Sequence, residues 1–113
     1  MTAATAREIA NLQLEAYNAH DIEAYMALFA DDAFTHDLRT GKDVVRGAAA
    51  IREFYAARFA NPSLHCTIIN RMDAGEFAID FEELHGLSGG PVRLIAIYEV
   101  RDGLIRSIRF VWE

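Results

Sequence analysis

The chain has 113 residues, 52% of them apolar, which suits one domain (residues 1–113) that buries its own core. Eleven basic against seventeen acidic residues give a net charge of −6, which disfavours a partner held through phosphates, so we expect no nucleic-acid binding. The sequence contains neither a cationic leader nor about 18 consecutive apolar residues, and we expect no membrane association. The single cysteine, Cys66, forms no internal disulfide and fits a reducing compartment, so we predict a cytoplasmic protein.

Helical periodicity dominates the first half of the chain. A first helix is predicted from near Thr5, with one face formed by Ile9, Leu12, Gln13, Ala16 and Tyr17. Asp21 is a suitable N-cap for a short second helix that runs through Phe29 and ends at Ala30. A third helix is predicted after Gly47 and stops before Pro62, because proline disfavours helix at the preceding residue.

Strand patterns dominate the second half. A short strand, Ala33–Asp37, is predicted between the second and third helices, and a longer one covers Leu64–Asp73. In the next strand Phe77, Ile79 and Phe81 alternate with Ala78, Asp80 and Glu82. Asp102-Gly103 predicts a hairpin turn between two last strands, Val92–Val100 and Leu104–Trp112. This order of elements is typical of the α+β class.

The last two predicted strands carry apolar residues on both faces. Ile95 and Ile97 oppose the alternating set Val92, Leu94, Ala96, Tyr98 and Val100, and Ile105 and Val111 oppose the set Ile108, Phe110 and Trp112. A sheet with one solvated face alternates cleanly, so both faces are expected to be covered. Helices can cover one face, and a second copy of the chain is the simplest cover for the other. We therefore expect a homodimer formed through the outer sheet face.

Asp37 is the first candidate for chemistry. Alternation places Thr35 and Asp37 on one face of the short strand and Phe34 and His36 on the other. On this pattern alone, the preferred interpretation puts Phe34 inward and leaves Asp37 in solvent. The alternative is that Asp37 points into an apolar cavity, where desolvation raises its pKa and lets it move a proton.

Three further polar side chains lie on helix faces that are otherwise apolar: Gln13, Tyr17 and Tyr55. Each can serve structure alone, because buried amides and phenols need hydrogen-bond partners. Together with Asp37 they can also form the polar part of a ligand cavity. The four histidines are scattered without metal-ligand spacing, and Gly86–Gly90 lacks the lysine of a phosphate loop. We expect no metal and no cofactor.

Four segments make the sequence resemble a known superfamily. Tyr17-Asn18-Ala19-His20-Asp21, followed by the stretch from Ala27 to Ala33, resembles the opening of the nuclear transport factor 2-like superfamily. Gly47-Ala48-Ala49-Ala50-Ile51-Arg52-Glu53-Phe54-Tyr55 is similar to the third helix of ketosteroid isomerases, and the last hairpin fits their closing strands. The chain is thus identified as a member of the ketosteroid isomerase and SnoaL-like branch. The resemblance implies a curved mixed sheet wrapped around three helices, an apolar cavity, and dimers formed through the outer sheet face.

The resemblance also implies roles for single residues. Asp37 falls on the position of the isomerase general base, which reverses the solvent-facing interpretation, and Tyr55 matches the tyrosine that supports the oxyanion hole. Gln13 stands where the isomerases have their oxyanion tyrosine, and Ala96 where they have a protonated aspartate. Because losing one oxyanion donor commonly costs about 100-fold or more, we do not expect an efficient 3-ketosteroid isomerase.

Three functions stay open on the sequence. The first is a cofactor-independent isomerase, cyclase or dehydratase in which Asp37 removes a proton next to a carbonyl that Gln13 and Tyr17 polarise. Its apolar ligand would lie against Phe54, Phe81, Phe110 and Trp112. The second is a hydrophobic-ligand-binding module without chemistry. The third is an interaction role, with the cone filled by side chains.

Overall fold

The structure, a computed structural model, describes residues 3–113. The first helix, α1, spans Ala6–Ala19 and begins with a reciprocal cap: the Thr5 hydroxyl accepts from the Glu8 amide at 3.2 Å, and the Glu8 carboxylate accepts from the Thr5 amide at 3.0 Å. The second, α2, spans Ile22–Met26 behind the cap Asp21, and the third, α3, spans Ala48–Phe59. The predicted second helix is too long at its C-terminal end, because Phe29 already begins a strand.

Six strands form one mixed sheet. They are β1 (Phe29–Asp37), β2 (Lys42–Arg46), β3 (His65–Ala74), β4 (Phe77–His85), β5 (Val92–Arg101) and β6 (Leu104–Trp112). The spatial order is β2-β1-β6-β5-β4-β3, and every neighbouring pair is antiparallel except β1 with β6. Three helices in the N-terminal half and a curved, unclosed sheet confirm the predicted α+β cone.

The core lies between the helices and the inner sheet face. Ala10 and Ile51, on α1 and α3, are fully buried there. Leu94, Ala96 and Tyr98 are buried on β5, as their alternation predicts. The inner face thus provides the walls on which a site can be built.

The face of β4 that lies inside is the opposite of the one expected, since the aromatic side was expected to face the cavity. Asp80 and Glu82 are buried at 1% and 5% exposure, whereas Ile79 and Phe81 face outward and are half-buried. Two arginines hold Asp80: Arg7 of α1 at 2.8 Å and Arg71 of β3 at 3.1 Å. Buried charges are tolerated when they are paired, and this pairing allows the acidic side of the strand to lie inside.

A bulge changes the predicted faces of β6. Ile105 was expected opposite Ile108, yet both are almost completely buried. The pairing of β5 with β6 shifts register between Glu99 and Val100. Such a shift resets the alternation of the strand, so Ile105 also enters the core.

The outer sheet face carries an apolar surface. Met72, Ile79, Phe81 and Ile95 line a depression of about 430 Å³ there, together with Asn70 and Arg71. Met72 and Ile95 are among the large exposed apolar side chains. We propose that a second copy of the chain covers this surface.

Replacing Ile95 by aspartate is expected to shift the assembly from dimer to monomer, because a charge in an apolar interface must be desolvated without a partner. Sedimentation at micromolar concentration measures the change. The control is Leu12→Asp, at another exposed apolar position, on α1. A wild-type mass near that of one chain contradicts the homodimer.

Candidate functional site

A cavity of about 60 Å³ lies between the inner sheet face and the helices. The lining side chains come from α1, α3 and the strands β1, β2, β4, β5 and β6: Gln13, Tyr17, Thr35, Val44, Phe54, Tyr55, Arg58, Leu84, Leu94, Tyr98, Ile108, Phe110 and Trp112. Most of this wall is apolar. The polar groups that interrupt it come from few side chains, as in small-molecule sites.

Tyr17 contributes a hydroxyl that is free to bind. The residue is 5% exposed, and its ring packs edge-on against Phe59 with centroids 5.5 Å apart. Its buried hydroxyl has no hydrogen-bond partner among residues 3–113. Burial raises the pKa of Tyr17, and the guanidinium of Arg58 opposes that rise. Tyr17 is therefore a neutral phenol whose proton is not donated to any group of the described chain.

A chain of buried hydrogen bonds runs behind the cavity. The Tyr98 hydroxyl lies 3.2 Å from Gln13 Oε1 and 3.1 Å from Glu82 Oε2. At its other end, Gln13 donates from Nε2 to the Tyr25 hydroxyl at 3.3 Å. Gln13 and Tyr98 line the cavity, and Glu82 stands behind Tyr98. A carboxyl group is thus connected to the wall by one phenol.

The positions of the protons define two states of this series of hydrogen bonds. The Tyr98 hydroxyl has one proton for the two oxygens it faces, so it donates fully to Gln13 only when a protonated Glu82 carboxyl donates to Tyr98. When Glu82 is ionised, Tyr98 donates to it, and the Gln13 amide must turn its NH₂ toward Tyr98. The proton on Glu82 and the amide orientation are therefore coupled.

The surroundings of Glu82 favour its neutral form. Burial is the main cause that raises its pKa to about 7, and the negative charge of Asp80 adds to the rise. Hydrogen bonds from Tyr98 and Cys66 and the charge of Arg71 oppose it. A carboxyl group that titrates near neutral pH can both give and take a proton at physiological pH.

Asp37 lies at the end of β1, on the same strand face as the buried Thr35 and opposite Phe110 of β6. It is half-buried and is not among the lining residues. Its carboxylate accepts from the Arg39 amide at 2.9 Å, and its carbonyl accepts from the Gly41 amide at 2.9 Å. Asp37 thus closes the turn between β1 and β2. This turn is next to the end of the cavity that Phe110 and Trp112 line.

The other predicted site residues separate into two groups. The cavity brings together Gln13, Tyr17, Tyr55, Phe54, Phe110 and Trp112. It does not include Phe81, which lines the outer depression, or Ala96, which is fully buried opposite Asp80 and Phe110. His36 binds Asp43 at 2.7 Å and His85 binds Glu83 at 2.8 Å, so neither lines the cavity.

The sequence pattern did not identify Glu82, Tyr98 or Arg58 as site residues. Tyr98 was visible on the inward face of β5, which is the one signal that could have selected it. Glu82 gives no local signal, because its burial depends on side chains of other strands. Arg58 occupies the last turn of α3, where a basic residue is common for helix-dipole reasons alone.

Neither a metal cluster nor a membrane-spanning helix is found in the part of the chain that the structure describes. Within residues 3–113, no three histidine, cysteine or carboxylate side chains come together in a metal-binding arrangement. No helix in this range is long and apolar enough to cross a bilayer.

Comparison with known proteins agrees with this architecture. Residues 11–108 match the model of the SnoaL-like domain. An uncharacterized cystatin-fold protein from Novosphingobium aromaticivorans superposes with a TM-score of 0.85 at 26% identity, covering 96% of this chain and 98% of its own. The protein RV0760c from Mycobacterium tuberculosis gives 0.82 at 25% identity, with 100% and 94% covered. A protein from Kribbella flavida proposed to be a ketosteroid isomerase gives 0.82 at 21% identity, with 96% and 77% covered, a likeness of fold alone.

Proposed function

Because the chain belongs to the SnoaL-like family, we propose that it is a cofactor-independent enzyme that moves a proton next to the carbonyl of a small apolar ligand. One observation carries this proposal: Tyr98 lines an apolar cavity, and its hydroxyl is hydrogen-bonded to the buried Glu82 carboxyl behind it. Because the pKa of Glu82 is about 7, part of it is ionised near neutral pH and can accept, through Tyr98, the proton that enolisation removes.

Tyr17 is the proposed donor to the ligand's carbonyl oxygen. Its hydroxyl is unpartnered and already desolvated, so a bond to a developing enolate costs no competing bond to water. Gln13, expected to share this role, already uses its amide on Tyr25 and Tyr98 and instead positions the phenol of Tyr98.

Two carboxyl groups are candidates for the proton acceptor. Asp37 is the general base that the family resemblance implies, and it lies near the end of the cavity formed by Phe110. Glu82 is reached through Tyr98, which takes the ligand's proton while passing its own to the Glu82 carboxylate. Burial favours Glu82 as the group whose charge changes in turnover, and Asp37 stays in the proposal as its rival.

The cavity restricts the ligand. A volume of about 60 Å³ is well below the roughly 300 Å³ at which drug-sized pockets begin, so the proposed ligand is small or inserts only one end. Ala96 offers no side-chain donor, and Gln13 stands in place of the isomerase tyrosine. Both features support a substrate other than a 3-ketosteroid.

Exchange of ketone α-protons tests this function. Cyclopentanone and acetophenone are incubated with the protein in D₂O, and the α-proton signal is followed by NMR. Glu82→Gln is expected to lower the exchange rate about 100-fold or more, and Tyr17→Phe about tenfold or more, because each removes a group used in the transition state. Glu83→Gln, on the outer side of β4, is the matched control.

The pattern of losses decides between the carboxyl groups. If Asp37→Asn abolishes exchange and Glu82→Gln does not, Asp37 is the base and the Glu82 route is wrong. If neither ketone exchanges faster than in buffer, the catalytic proposal fails for this ligand class.

The second candidate function is a hydrophobic-ligand-binding module without chemistry. The observation that favours it is the Asp37 carboxylate, which is engaged by the Arg39 amide in the β1–β2 turn. This function is supported if acetophenone causes saturable shifts of the Tyr17 and Trp112 NMR signals and no exchange of its α-protons.

A further inference from the structure

Arg58 is the cation on the cavity wall. It lies in the last turn of α3, and its guanidinium stacks on the Phe54 ring with the carbon 4.9 Å from the centroid. Among residues 3–113, Arg58 makes no salt bridge, whereas Arg52 on the same helix pairs with Glu23. A guanidinium that lines an apolar cavity without a carboxylate partner is suited to an anion supplied by a ligand.

Tyr17 gives a second, independent indication at the same place. Its buried hydroxyl donates to no group within residues 3–113, and the Arg58 side chain is close enough to act on its oxygen. Buried polar atoms are rarely left without a hydrogen bond, so an orphan hydroxyl on a cavity wall indicates an acceptor that arrives from outside the chain. One neutral donor and one cationic donor thus stand beside each other.

We propose that the ligand is a 2-oxo acid with an apolar remainder. Its carboxylate binds Arg58, and its neighbouring carbonyl oxygen accepts a hydrogen bond from Tyr17. In a 2-oxo acid the two acceptors are on adjacent carbons, which matches a phenol and a guanidinium side by side. The apolar remainder lies against Phe54 and Trp112. This inference rests on the proposed function for its carbonyl, and it adds the charge of the substrate.

Two buried carboxyl groups behind the cavity wall do not oppose an anionic ligand. Glu82 stands behind Tyr98, and its carboxyl is largely neutral below about pH 7, so it does not repel an anion there. Asp80, further along β4, is neutralised by Arg7 and Arg71. Among the side chains that line the cavity, Arg58 carries the charge.

Binding of phenylglyoxylate tests the inference without turnover, because this 2-oxo acid has no α-proton to exchange. Its neutral isostere, phenylglyoxamide, has the same shape without the charge. Near pH 6 we expect the acid to bind at least about tenfold more tightly than the amide, as for a charge-assisted hydrogen bond. Calorimetry gives both dissociation constants, and chemical shifts of Trp112 report binding in the cavity.

Substitutions at Arg58 then locate the charge effect. Arg58→Gln is expected to weaken phenylglyoxylate about tenfold or more and leave phenylglyoxamide unchanged, while Arg58→Lys retains part of the preference. Arg52→Gln is the matched control on the same helix. Equal affinities for acid and amide, or an Arg58→Gln variant with unchanged preference, overturn the inference. Those results do not bear on the exchange of ketone α-protons, which tests the catalytic proposal separately. Tight binding of phenylglyoxylate without any ketone exchange overturns only the catalytic proposal.

Discussion

Replacing Glu82 by glutamine is expected to make the protein more stable relative to wild type as the pH rises. The pKa of Glu82 is raised in the folded chain to about 7, from an ordinary value of 4.5. Between these values the folded state holds a proton that the unfolded state has released, so wild-type stability falls as the pH increases through this window. Glutamine keeps the shape and has no charge to desolvate. The free energy of unfolding should move in favour of the variant by about 3 kcal/mol between roughly pH 4 and pH 8.

Urea denaturation of both proteins at several pH values measures this difference. The comparison is made on the difference curve, since other groups titrate equally in the two chains. Glu83→Gln is the control: Arg93 and His85 lower the pKa of Glu83 on the exposed side of β4, so its removal gives no gain at high pH. A Glu82→Gln difference curve that is flat from acid to neutral pH contradicts a buried neutral carboxyl.

The sequence was most informative where local rules decide the structure. The first helix begins near Thr5 and Asp21 caps the second, as expected, and Leu104–Trp112 has the predicted strand bounds. Strand β2 was missed, because Lys42–Arg46 is short, mainly exposed and has no apolar alternation to mark it. Its strand character comes from pairing with β1.

The site depended on contacts that no local pattern contains. In β4 the larger apolar residues suggested that Phe81 faces inward, yet Asp80 and Glu82 take that side. Arg7, 73 residues away, neutralises Asp80, and Tyr98 binds Glu82 from the next strand. Family resemblance predicted the cone, and the helix pattern selected Tyr17, but the hydrogen bond between Tyr98 and Glu82 depends on the three-dimensional pairing of the strands.

The interior charges of β4 are coupled, and Asp80 is the residue that tests this. Asp80 is held by Arg7 and Arg71, and its negative charge helps raise the pKa of Glu82. Asp80→Asn keeps the side-chain shape but removes the charge that both arginines face. Because Arg7 and Arg71 are partly exposed, the expected loss is about 2–3 kcal/mol in the free energy of unfolding, near the lower end for breaking a buried ion pair.

The same substitution has a second expected effect, which a purely structural role of Asp80 does not produce. Without its negative neighbour, and with Arg71 free to act on it, the Glu82 carboxyl should titrate at lower pH than in wild type. Carbon NMR of the Glu82 carboxyl measures the shift directly, and urea denaturation measures the stability. Asp73→Asn is the matched control, since Asp73 also pairs with Arg7 but is exposed, and its effect on stability should stay within about 0.5 kcal/mol. If the Glu82 titration is the same in Asp80→Asn as in wild type, then Asp80 does not set the proton affinity of the group behind the cavity. The neutral state of Glu82 would in that case rest on burial alone, and its pKa could be adjusted only by changing the packing around Tyr98.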